Sequence, residues 1–352
     1  KSMILSFAAY IVSFLIFFYS KKFYTHLFAM VFYGIGEAFR SGTHKAMILE
    51  YLRSRDLINF KVHYYGHTRS WSQMGSAFSA VIAGVIVFFS PGYRYIFLFS
   101  IIPYIIGLFL LWSYPKELDS SGDDNKSDDS EKIHFKKRIK NTLTELVTML
   151  KGKAARRAII NASVFDAVFK SIKDYLQPVL LVLVIGLPVL MDFQEDEKIS
   201  ILSASVYFLL YFLTSYAAKL SGKFSSLFKT NENGLNFTFI FGIVLIFTIG
   251  IFLYTGLNIV PVIFFILFYL LQNLRKPIVI GLLSSRIPAA AMASGLSVES
   301  QSKTLIVALL APLIGFLMDT FGLGRSFIIL AVFLAVLYPV ILLKESIELE
   351  NV

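Results

Sequence analysis

Apolar runs long enough to cross a lipid bilayer recur along the whole chain. A hydrocarbon core of ~30 Å needs about 20 predominantly apolar residues in a helix. Ten segments approach that length: residues 4–19, 24–49, 71–89, 95–112, 158–185, 202–220, 237–254, 260–283, 292–317 and 327–343. Lipid offers no hydrogen-bond partner to the backbone, so such segments must satisfy their N–H and C=O groups internally, as helices do. The runs continue almost to the C-terminal end, so no single one reads as a cleaved signal peptide. Charged residues make up 16% of the chain and hydrophobic residues 56%, whereas a soluble domain has about 25% charged residues. Too little polar surface exists to cover a water-exposed globule. The expected fold class is an all-α integral membrane protein.

Charge supports the same reading. The net charge is +10, which in a soluble chain would point to nucleic acid. Here Arg53, Arg55, Lys61 and Arg69 share one side with the basic stretch 132–157 and with Lys219, Lys223 and Lys229. The opposite loops hold few cations, and one carries Asp192, Glu195, Asp196 and Glu197. Loop bases gather on the cytoplasmic side, so the central linker and the C-terminus are expected in the cytosol, with no nucleic-acid partner. The chain has no cysteine, which excludes disulfides, Cys-ligated metals, Fe–S clusters and thiol nucleophiles. His63 and His67 have ligand spacing but no carboxylate or thiol beside them, so no metal is expected. No HExxH, Walker A loop or Gly-x-Ser-x-Gly elbow occurs. The chain is therefore not expected to be an enzyme, an ATP-driven pump or a cofactor carrier.

The polar segment 120–131 has the composition of a flexible linker. In residues 132–150, Ile133, Phe135, Ile139, Leu143, Leu146, Val147 and Leu150 fall near helical spacing, as in an amphipathic helix lying at the interface. The expected domains are an N-terminal bundle of four spans (1–114), a cytoplasmic linker (115–157) and a C-terminal bundle of six spans (158–352). The halves share weak internal similarity. Ser72-Gln73 and Ser300-Gln301 begin corresponding spans, and Ala83-Gly84 and Ala311-Pro312 follow at equal distances. The preceding spans carry Glu37-x-x-Arg40 and Gln272-x-x-Arg275. On that correspondence the first half lacks two helices. Since the sequence opens on Lys1 rather than Met, the expectation is an N-terminal truncation, with about ten of twelve helices present.

The run Gly34-Ile35-Gly36-Glu37-Ala38-Phe39-Arg40-Ser41-Gly42-Thr43-His44-Lys45-Ala46 resembles the Gly-rich fourth helix of bacterial and archaeal members of the major facilitator superfamily. The linked helical halves match as well. The resemblance implies a two-bundle fold and secondary active transport of a small solute by alternating access. It also implies a cavity lined by the spans at 24–49, 158–185 and 260–283. Ser215 to Lys223 keeps only a small residue, a Gly and a base of the family's Gly-x-x-x-Asp-Arg-x-Gly-Arg loop, and the third span lacks the Gly-Pro motif of drug antiporters. A drug/proton antiporter is therefore not expected. The expected setting is the prokaryotic plasma membrane, as a multi-pass monomer.

Ionisable groups within spans are costly and mark pathways by default. Helical spacing puts Glu37, Arg40, Ser41 and His44 on one face, and Asp166, Lys170, Lys173 and Gln177 on another with Asp174 beside it. Gln272, Arg275 and Lys276 share a third face, ahead of Pro277. The expected substrate and proton pathway comprises Glu37, Arg40, His44, Lys170, Lys173, Asp174, Gln177, Gln272 and Arg275, with Gln73, Asp166 and Gln301 as secondary candidates. Lys45, Lys276 and an i,i+4 surface pair of Glu299 and Lys303 read as structural or snorkelling groups. Gly34, Gly42, Gly75 and Gly84 read as packing positions. Cations outnumber anions in this lining, so the expected solute is anionic or zwitterionic, with protons coupled through Glu37 and Asp174. Two other functions fit the same fold: a non-transporting membrane sensor or scaffold, and efflux of organic cations.

Overall fold

A computed structural model of the chain describes residues 2–40, 43–90, 92–113, 152–185, 195–257, 259–287 and 292–344. The expected amphipathic helix at 132–150 lies outside them. Every regular element among the described residues is helical. In chain order these are α1 (Ser2–Tyr19), α2 (Phe23–Arg40), α3 (Thr43–Ser54), α4 (Lys61–Phe89) and α5 (Arg94–Trp112). They continue with α6 (Lys153–Ile172), α7 (Leu176–Ile185), α8 (Glu195–Ser225), α9 (Asn231–Tyr254), α10 (Ile259–Arg286), α11 (Met292–Phe321) and α12 (Leu323–Ile341). Short 3₁₀ turns, Ile58–Phe60 and Lys173–Tyr175, precede α4 and α7.

Eight helical segments among the described residues are long and apolar enough to cross a membrane. The expected span at 24–49 is covered by α2 and α3, the residues between them lying outside the described ones, and α3 runs on to Ser54. The span at 158–185 is interrupted by the 3₁₀ turn at Lys173–Tyr175. Pro178 follows one turn later. It has no N–H to give to the carbonyl at position 174, and its ring crowds that carbonyl. The helix thus changes type just before the proline.

The described residues pack as two compact units, one made of 1–59, 85–149 and 287–300, the other of 60–84, 150–286 and 301–352. In the first, α1 packs on α2 and α5. Small residues permit the α1–α2 approach: a Cβ at Gly36 would lie 3.0 Å from both Ser6 O and the Tyr10 ring. Ser6 Oγ donates to Gly36 O at 2.7 Å and Ser13 Oγ to Ala29 O at 2.8 Å. Small-residue contacts and hydroxyl bonds replace a hydrophobic driving force that lipid cannot provide. Gly107 of α5 admits the Phe7 ring.

In the second unit, α10 is the central element, packed against α6, α8 and α9. The α9–α12 contact is closest at Gly250 and Gly324, where a Cβ on Gly324 would stand 2.5 Å from Tyr254 N. Helix α4 packs by Gly66 on Ala218 and Ser221, and nearer its C-terminal end by Gly84 on Ala204. Of the glycines expected to serve packing, Gly84 does so. Gly34 and Gly75 face open space, and Gly36, Gly66 and Gly107 take that role instead.

Candidate functional site

Two clusters of polar groups reach accessible surface, one in each unit. The first forms where α1 meets α2. Tyr10 is buried between the helices, its ring 5.2 Å from Tyr33 and 5.1 Å from Tyr104. Its hydroxyl donates to Glu37 Oε2. Arg40, one turn beyond Glu37, brings Nη2 to 3.1 Å from both carboxylate oxygens. Its guanidinium carbon lies 5.9 Å from the Tyr10 ring centroid, within the range of a cation–π contact. The side chains of Arg40 and Glu37 are 48% and 44% exposed. The result is an ion pair that a solute can reach, on a rigid aromatic base. His44 falls on α3, and Ser41 of the expected stripe lies with Gly42 outside the described residues. The His44 side chain lies outside them too.

The second cluster surrounds the 3₁₀ turn before α7. Lys173 Nζ meets Asp174 Oδ1 at 2.5 Å, with Asp174 68% exposed. Tyr269 of α10 donates its hydroxyl to Lys173 O at 3.1 Å, which anchors the turn. Gln177 lies beside Tyr207 of α8, and the Tyr207 ring stacks on Tyr211 at 5.9 Å. Lys170 is exposed one turn earlier. An ion pair, an amide and several phenols therefore share one surface.

The other expected site residues are interior. Asp166 of α6 accepts from Lys276 Nζ and from Gln272 Nε2, the latter at 2.8 Å. Arg275 points elsewhere: Nη1 donates to Leu235 O at 2.5 Å and Thr238 Oγ1 at 2.6 Å, and Nη2 donates to Asn161 Oδ1. Its guanidinium carbon sits 4.4 Å from the Phe165 centroid, and the residue has 0% exposure. The expected shared face of Gln272, Arg275 and Lys276 is thus divided: Gln272 and Lys276 reach α6 near Asp166, while Arg275 ties α10 to α9 and to Asn161. Gln73 of α4 is buried and donates to Asn273 Oδ1 at 2.7 Å, an oxygen that Arg69 Nε also reaches at 3.1 Å. Gln301 is exposed on α11.

Glu299 corrects another expectation. As half of an i,i+4 surface pair it would be solvated, yet it has 0% exposure. Its Oε2 receives Lys45 Nζ from α3 at 3.1 Å. The cation excess also narrows. Lys276 and Lys45 pair with buried carboxylates and Arg275 is internal, so Arg40, Lys170 and Lys173 face accessible surface against Glu37 and Asp174. The groups that sequence reasoning missed are mostly tyrosines (Tyr10, Tyr207, Tyr211, Tyr269), whose abundance reads as lipid-facing, and the two buried asparagines Asn161 and Asn273. His63 and His67 lie on α4 with ring centroids 4.5 Å apart. Among the described residues no group of three metal-ligating side chains occurs.

The sequence matches the family model described as Major Facilitator Superfamily over residues 1–300. A solved structure of a POT family transporter in complex with 5-aminolevulinic acid is similar, with a TM-score of 0.54 and 13% identity, covering 97% of this chain and 80% of that one. At that identity the likeness concerns the fold alone. No curated protein matches the chain. With the family model spanning most of a polytopic helical sequence, the chain belongs to the Major Facilitator Superfamily, as a multi-pass membrane protein that moves small molecules as a secondary transporter and is not an enzyme.

Proposed function

We propose that the protein carries an anionic or zwitterionic solute by proton-coupled alternating access, with the Glu37–Arg40 pair as the coupling element. The observation that carries this reading is the dual hold on one accessible carboxylate: Arg40 and Tyr10 both bond Glu37. A proton added to Glu37 cancels the charge that occupies Arg40. The guanidinium then has free donors in a planar fork, the geometry that recognises carboxylate or phosphate. Loss of the proton reverses the exchange, so solute and proton are bound by one charge balance.

The Lys173–Asp174 pair offers the same chemistry in the C-terminal half, where Gln177, Tyr207 and Tyr211 add donors for a polar solute. Lys170, Lys173 and Arg40 leave the accessible groups cationic overall, and such a field concentrates anions. Gln272, Arg275, Asp166 and Gln73 serve this reading as internal ties that fix α10 against its neighbours. His44 remains a member of the pathway and Gln301 a secondary one. The sequence organisation proposed for this mechanism is a pair of helical bundles, 1–114 and 158–352, joined by a cytoplasmic linker. The protein works as a monomer in a prokaryotic plasma membrane.

The test is uptake by the purified full chain in proteoliposomes, using a panel of organic anions, amino acids and organic cations, with and without an imposed pH gradient. Gradient-driven accumulation of anions or amino acids is expected. An organic cation that outcompetes every anion overturns the substrate class. Solutes that stabilise the protein in detergent yet never cross the membrane support a sensor.

A further inference from the structure

Where α6 begins, the charge pattern opposes the helix. A helix N-terminus carries partial positive charge and favours acids. Yet α6 has no acid in its first turn, while Lys153, Arg156 and Arg157 crowd there. Gly152 at its N-cap supplies no side-chain acceptor to the first N–H groups. Such a conflict between local rule and sequence is expected where a ligand resolves it.

The conflict borders a cavity of about 160 Å³, formed at the ends of α6, α9 and α10 and closed by the chain after α12. That is far more than the ~15 Å³ a single water needs. Lys153, Arg157, Arg286 and Lys344 line it, and Glu232 is its one acidic wall residue. Glu232 is already committed, since its Oε1 receives Arg286 Nη2. Among the described residues, no carboxylate lies within ion-pair distance of Lys153, Arg157 or Lys344.

Lys344 is held in place rather than trailing. The Asn236 amide donates to Leu343 O at 2.8 Å and accepts from Leu343 N at 3.0 Å, a two-point bond that imitates backbone pairing. Asn161 donates to Ile341 O at 3.1 Å. These bonds pin the segment after α12 against α9 and α6 and set Lys344 beside the cavity.

We propose that this cavity is a binding site for a phosphate group. Two cations of α6 one turn apart and Lys344 from the strapped segment line one small space at the start of that helix. The combination provides both the point charges and the oriented donors that phosphate oxygens accept. A phospholipid headgroup and a soluble phosphate present the same chemistry. The position at the ends of membrane-crossing helices, on the basic side of the protein, favours an anionic headgroup. This site is independent of the transport reading.

The experiment compares thermal unfolding of the full chain in phosphatidylcholine nanodiscs with unfolding after phosphatidylglycerol is added, for the native protein and for Arg157→Gln/Lys344→Gln. A second variant, Lys223→Gln/Lys229→Gln, removes equal charge from exposed positions elsewhere. Phosphatidylglycerol is expected to raise the Tm of the native chain and of the second variant by several degrees, and that of Arg157→Gln/Lys344→Gln by less than half as much. Stabilisation by millimolar inorganic phosphate in phosphatidylcholine, lost in the first variant only, upholds the site and assigns it a soluble ligand. Equal shifts in all three proteins, or none, overturn the proposal.

Discussion

Tyr10 of α1 donates its phenolic hydrogen to Glu37 of α2 from a position almost wholly buried between the two helices. The ring is wedged against Gly36, and the hydroxyl is its polar handle. Replacement by Phe keeps the ring and removes one bond to a carboxylate. Bonds to charged groups contribute about 1.5–3 kcal/mol, so Tyr10→Phe is expected to lower the unfolding temperature modestly. Tyr10→Ala also opens a cavity and costs about 3–5 kcal/mol on the scale of large aromatic truncations. Thermal unfolding in detergent separates the two. Equal losses would show that the hydroxyl, not the ring, holds the α1–α2 contact.

Arg275 is a structural cation in this account. Its guanidinium bonds a backbone carbonyl and a threonine of α9 and an asparagine of α6. Lysine has one ammonium and cannot reproduce that fork. Arg275→Lys is expected to destabilise by about 2 kcal/mol or more through the acceptors left unpaired, while solute affinity of the surviving folded protein stays near normal. Binding measured by calorimetry beside a melting curve checks both halves. Lost affinity with intact stability would return Arg275 to the solute pathway.

The Lys45–Glu299 pair joins α3 to α11 around a carboxylate with no exposure. Removing one partner takes a counter-charge out of a buried setting, at a cost of up to about 3–5 kcal/mol. Glu299→Gln and Lys45→Met are each expected to destabilise strongly. The double variant should cost clearly less than the two single costs together, since neither charge remains unpaired. Additive losses in a double-mutant cycle would mean that the two groups act independently.

Gly324 and Gly250 mark a tight helix crossing. A Cβ on Gly324 would meet backbone on two sides, Tyr254 N at 2.5 Å and Gly250 O at 2.9 Å. Backbone cannot swing aside as a side chain can, so Gly324→Ala is expected to force α9 and α12 apart and to lower yield and melting temperature. Gly34→Ala, with nothing within 4 Å of the added carbon, is expected to be nearly silent. Thermal unfolding of the two variants side by side checks the contrast.

Long apolar runs are strong signals because lipid imposes both helix and length. For that reason the all-helical class and most elements were legible before any coordinates. The change of helix type before Pro178 was harder. A hydropathy run is blind to backbone continuity, and only the proline left a mark. Glu37–Arg40 was legible because i,i+3 spacing on one helix fixes the neighbours. Arg275 had the same spacing from Gln272 but a different fate. Whether a charge turns inward to a partner or outward to a solute depends on the residues supplied by other helices, here Asn161 and Thr238. Glu299 was misread for the same reason: its nearby Lys303 was visible in sequence, whereas Lys45 lies far away along the chain. The tyrosines gave no such signal, because their hydroxyl partners are set by tertiary packing.

The coupling role of Glu37 is tested most directly by proton movement. The native chain and Glu37→Gln are reconstituted into liposomes holding a pH-sensitive dye, and a transported anionic or zwitterionic solute is added outside. The account predicts a solute-dependent pH change inside for the native protein. For Glu37→Gln it predicts none, while exchange of labelled for unlabelled solute continues. An undiminished solute-driven pH change in Glu37→Gln would contradict the account and remove Glu37 from the proton path.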